Sequence, residues 1–138
     1  MNMELAFKIA GVILMILGPA HLYFYKYFDW EEESKKMSPL NGQIFLVHSF
    51  FISLVVLMMG ILLFFYTQTL LVRSTLGKLV LLGLLIFWSC RLIIQLFFYD
   101  AKLWKGNPLY TFVHISFTFL WTYLVVILGH AYWQIYFK

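Results

Sequence analysis

Four long apolar stretches leave little room in this chain of 138 residues for anything else, and they exclude most folds at once. They run from about Leu5 to Tyr27, Pro39 to Tyr66, Leu76 to Tyr99 and Pro108 to Trp133. About 20 helical residues cross the hydrocarbon of a bilayer, and each stretch is long enough. Lipid offers no water to pair a backbone, so spanning segments are helices or closed barrels. Nothing here alternates with the period of two that a barrel strand needs. Hydrophobic residues make up 63% of the chain and charged ones 12%, against roughly 45–50% and about 25% in soluble domains. The expected fold is all-α and integral to a membrane: one domain, residues 1–138, forming a four-helix up-down bundle.

The ends of the spans carry their own signals. Ser38-Pro39 and Asn107-Pro108 each set a capping side chain before a proline at the first helical position, and Ser74 can cap the third span. Gly18-Pro19 predicts a kink in the first, because proline removes a donor and crowds the preceding turn. The connection from Asp29 to Met37 opens with an Asp-x-x-Glu pattern, which predicts a short interfacial helix. The remaining connections are short, so neighbouring helices should be antiparallel. The run ending in Gly18-Pro19-Ala20-His21 makes a poor cleavage site, and the first span reads as retained.

Charge and sulfur say less. The net charge of +4 has no basic run behind it, which argues against a nucleic-acid surface. A single cysteine, Cys90, precludes an internal disulfide and reads as a small buried hydrophobe. Met15, Met58 and Met59 read as core filler, and His130 beside Gly129 as a helix-end cap. Lys8, Arg73, Lys78 and Lys138 fall on the face that holds both termini. Lys26, Lys35, Lys36, Lys102 and Lys105 fall on the other, so counting cations barely decides orientation. Weighing the acids Asp29, Glu31, Glu32, Glu33 and Asp100 as well puts both termini in the cytoplasm.

The clue to activity is a set of ionisable groups inside the spans: His21, His48, Arg91 and His114, with Gln95 one turn beyond Arg91. Threading four antiparallel helices brings all of them to one level, on the order of 9–13 Å below the face opposite the termini. Such residues usually face a bundle interior and mark function. Val47-His48-Ser49-Phe50-Phe51 also parallels Val113-His114-Ile115-Ser116-Phe117, as His21-Leu22 parallels Arg91-Leu92, which suggests two related helical hairpins.

Three ligand chemistries fit that set. In an up-down bundle the second and fourth spans are diagonal, so His48 and His114 would oppose each other as a b-type haem requires, with Arg91 and Gln95 on its propionates. Gly18, one turn from His21, would leave room for the flat ring. Alternatively His21, His48 and His114 would bind a transition metal, although Arg91 beside a dication is repulsive. The third chemistry needs no metal: Arg91, Gln95, His21 and Thr111 would hold an anionic lipid or a quinone entering from the bilayer, with histidine as proton shuttle. Trp88, Trp121, Phe45 and Phe117 fall near these residues and would wall such a site. Thr111, Thr118 and Thr122 extend a polar stripe around His114. The competing reading is an accessory subunit of a larger membrane complex, or a homo-oligomer, whose polar groups only fasten helices together. No motif in the chain names a reaction.

Overall fold

The computed structural model describes residues 2–27, 30–100 and 106–138, and within them the side chains of residues 25, 26, 31 and 33 are left aside. The expected cap Asp29 and the charges of Lys102 and Lys105 lie outside the described residues, as do the side chains of Lys26, Glu31 and Glu33. Among the described residues six helices follow in order: α1 (Met3–Tyr27), α2 (Trp30–Lys35), α3 (Pro39–Phe65), α4 (Thr67–Leu71), α5 (Thr75–Phe97) and α6 (Pro108–Phe137). The four long ones are each apolar and long enough to cross a membrane. Their caps are those the residue types imply. Ser38 accepts from the Asn41 amide, Ser74 from Gly77, and Asn107 from Leu109 and Tyr110.

Several details differ from expectation. Helix α4 is new, and Thr67 marks its start: its hydroxyl turns back onto the Leu63 carbonyl and onto Phe64 O at 3.2 Å. Helix α6 continues past Trp133, so His130 is an exposed residue within it and caps nothing. No glycine or proline follows to stop the helix. Cys90 and Met58, expected inside, are exposed. A purely apolar helix has no polar face to tell such residues which way to turn.

The chain divides into two compact units, Met1–Thr67 and Gln68–Lys138. In the first, α1 and α3 pack antiparallel. Phe7, Ala10, Leu14 and Leu17 form the buried stripe of α1; Ser53, Val56, Gly60 and Leu63 form that of α3. Both stripes keep the three-and-four spacing of a helical seam. Glycines set how closely it closes. A Cβ on Gly60 would lie 2.6 Å from the Met15 amide nitrogen, and one on Gly11 would lie 2.8 Å from Phe64 Cβ. Small residues at a helix crossing allow such backbone approach. Gly18 belongs to the same seam: its missing Cβ would meet Leu57 Cβ at 2.9 Å and Ser53 O at 3.0 Å. Helix α3 therefore fills the room that a flat ring would have needed there. Ser53 Oγ completes the seam by donating to Gly18 O at 2.7 Å.

The second unit pairs α5 with α6, also antiparallel, and builds its seam from large rings. Trp88 of α5 stacks on Trp121 of α6, with centroids 4.9 Å apart, and Phe117 also stacks on Trp121 at 5.3 Å. Glycine has little part beside these rings; Gly77, buried near the start of α5, is the close one, where a Cβ would lie 3.3 Å from the Tyr136 hydroxyl of α6. A Cβ on Gly83 would meet nothing within 4 Å, and one on Gly129 would meet Leu85 Cδ1 at an ordinary 3.8 Å. At one end of the pair, Tyr136 donates its hydroxyl to Ser74 O at 2.9 Å.

Candidate functional site

Arg91, Gln95 and His114 meet at the opposite end of the second hairpin. Arg91 and Gln95 are one turn apart on α5 and so share a face; His114 reaches them from α6. Arg91 Nη1 donates to Gln95 Oε1 at 3.1 Å, and Gln95 Nε2 lies 2.8 Å from His114 Nδ1. The donor and acceptor roles follow from chemistry. A guanidinium has only donors, so the oxygen of Gln95 must face Arg91 and its NH2 must face His114. The NH2 can only donate, so Nδ1 must accept. His114 is then a neutral imidazole that carries its proton on Nε2.

Gln95 is only 5% exposed, and both ends of its amide are engaged. The Arg91 guanidinium lies over the face of Trp121 at 5.2 Å and of Tyr99 at 5.9 Å. Among the described residues it makes no ion pair, and neither α5 nor α6 contains an aspartate or glutamate. Beside it, the indole nitrogens of Trp88 and Trp121 are buried with no hydrogen-bond partner among the described residues. Buried N–H donors nearly always find acceptors, so these two add to a local excess of donors.

His21 and His48 belong to the first hairpin, at its α2 end, and each turns Nδ1 onto the carbonyl one turn back. His21 Nδ1 donates to Leu17 O at 2.7 Å and His48 Nδ1 to Ile44 O at 2.8 Å. A carbonyl only accepts, so both rings present Nε2 as the lone-pair nitrogen if neutral. Among the described residues no group of three or more histidine, cysteine or acidic side chains is placed to hold a metal ion. Thr118 and Thr122 form no open polar stripe, because each donates to the carbonyl four residues back, His114 O and Thr118 O, at 2.8 Å. Hydroxyls within helices commonly fold back in this way. Thr111 lines a shallow depression at the start of α6 with Asn107, Pro108 and Phe112. Phe45 packs edge-on against Trp30. Tyr99 went unremarked in the sequence, although its place two turns beyond Arg91 is the signal that would have found it.

Comparison of the chain with protein-family models, curated proteins and solved structures gives no match. The reading of the site therefore rests on its own chemistry.

Proposed function

We propose that this is a four-span membrane protein whose Arg91–Gln95–His114 cluster holds the oxygen-bearing head of a lipid-like ligand, an anionic lipid or a quinone, near one face of the bilayer. The observation that carries this is the polarity of the hydrogen-bond chain. Arg91 donates, Gln95 passes the donor sense across to α6, and His114 keeps its remaining proton on Nε2. Such a cluster suits acceptor oxygens. It suits haem b or a transition metal less well, because the His114 lone pair is already engaged. Membrane insertion agrees with the large hydrophobic residues exposed along the helices, among them Leu5, Ile9, Val12 and Ile16 on one face of α1; apolar surface of that extent needs an apolar environment. In this reading the arrangement is up-down, with both termini cytoplasmic and the site near the outer face, supported by the four apolar helices and by the acids that the sequence places on the face opposite the termini.

The test is an organic extract of the detergent-purified protein analysed by mass spectrometry. The wild type should retain a lipid-like component through washing, and Arg91→Gln should lose it. Identical extracts would favour the accessory-subunit reading, in which the cluster only fastens α5 to α6.

A cofactor reading has support in the first hairpin. Metal-ligating histidines typically donate their other ring nitrogen to a carbonyl, as His21 and His48 both do. A Soret band or bound metal lost in His48→Ala would establish it, and a colourless, metal-free protein would remove it.

A further inference from the structure

We infer that the head group at Arg91 is a singly charged oxyanion on a lipid tail, a phosphodiester or a carboxylate, and not a neutral quinone. The inference rests on the ligand-holding role proposed above and adds the charge. Arg91 is the one charged member of the triad, since Gln95 is an amide and His114 accepts through Nδ1 and is neutral. The described partners of Arg91 are the Gln95 oxygen and the faces of Trp121 and Tyr99, all uncharged. The only other cation on α5 or α6 within their helical bounds, Lys78, lies at the far end of the hairpin, over Tyr136.

Among the described residues of α5 and α6 the site therefore carries a single positive charge, on helices without an acid. An uncompensated cation in lipid is costly, and aromatic faces offset only part of that. A quinone carbonyl would accept a hydrogen bond and leave the charge unbalanced. A phosphomonoester would bring a second negative charge with no second cation on α5 or α6 at this end to meet it. One negative charge balances the site, and two oxygens on one centre match the planar fork of arginine. The buried indole of Trp121 beneath the guanidinium closes one side, which leaves the tail to run along apolar surface.

Native mass spectrometry of the full chain in a neutral detergent tests this. Phosphatidylglycerol, palmitate, phosphatidylcholine, phosphatidic acid and decylubiquinone are titrated in turn. Phosphatidylglycerol or palmitate should bind about tenfold or more tighter than the zwitterionic and neutral probes, the factor expected of a hydrogen bond to a charged group. Whichever of the two is favoured identifies the source of the oxyanion. The preference should vanish in Arg91→Gln and survive in Arg73→Gln, which removes an exposed charge outside the long helices. Gln95→Glu is the second variant: it supplies the missing negative charge in place and should abolish anion preference while helix content by circular dichroism stays unchanged. Decylubiquinone or phosphatidic acid ranking first in the wild type would overturn the inference and leave a ligand-holding site standing. Undiminished anion preference in Arg91→Gln or Gln95→Glu would also overturn it. Absence of any saturable binding would remove the ligand-holding proposal as well.

Discussion

Between Gly60 and Met15 the first hairpin brings backbone against backbone, whereas between Trp88 and Trp121 the second sets two stacked indoles between its helices. Both are antiparallel pairs of long apolar helices, yet they close by different means. The first uses absent side chains, and the hydrogen bond by which Ser53 links its helices ends on a carbonyl. The second uses the largest side chains available, and its polar link runs side chain to side chain through Gln95. A glycine seam leaves little space at the crossing. A seam of rings leaves polar side chains room to meet beside it, and that is where the arginine sits.

The largest effect expected from breaking this contrast is at Trp121. It is 3% exposed, stacks on both Trp88 and Phe117, and lies under the Arg91 guanidinium. Truncating a buried aromatic to alanine costs about 3–5 kcal/mol, and Trp121→Ala should destabilise the second hairpin on that scale in a detergent unfolding titration. It should weaken ligand retention at the same time. A loss below about 1 kcal/mol, no more than an average point mutation, would mean that the ring stack does not hold this hairpin together.

A sharper comparison uses the same change in each hairpin. Gly60→Ala places a methyl 2.6 Å from the Met15 nitrogen and 2.9 Å from Gly11 O, both backbone atoms that cannot step aside without moving a helix. Overpacking of this kind costs about 1–3 kcal/mol. Gly83→Ala places the methyl in open space and should gain about 0.5–1 kcal/mol from helix propensity. Opposite signs, measured by thermal melting in one detergent, would confirm that Gly60 is structural in the first pair and Gly83 incidental in the second. Equal signs would erase the distinction.

How much of this was legible beforehand depends on the direction in which each signal points. Span ends were readable because Ser38-Pro39 and Asn107-Pro108 act on their own local backbone. The Arg91–Gln95 pair was readable because one turn of helix decides it. The level of His114 was readable by counting along the axis. Counting gives height and no azimuth, however, and so it could not tell that His21 and His48 would bond back to their own helices. Gly18 shows the limit most plainly. A glycine says that something comes close, and only the structure says that the neighbour is α3. Helix α4 was missed because its five residues carry too little periodicity to register.

The smallest expected effect separates the two interhelical hydrogen bonds. Ser53→Ala removes a donor from Gly18 O. That carbonyl also accepts from the amide one turn on, as in any regular helix, so no buried group is left without a partner. The methyl of alanine fits where the serine was. The loss should be about 0.6 kcal/mol, the average for such bonds between membrane helices. Gln95→Leu differs in kind, because it strands the half-buried Arg91 Nη1 on one side and His114 Nδ1 on the other; a polar group left unsatisfied away from water costs about 1–3 kcal/mol. Measured together by unfolding in one detergent, Gln95→Leu should cost several times as much as Ser53→Ala. If a bound oxyanion already satisfies Arg91, adding phosphatidylglycerol should narrow the gap by rescuing Gln95→Leu and should leave Ser53→Ala unchanged. A gap that lipid does not alter would make Gln95 a fastener alone and reduce the two hairpins to variants of one packing problem.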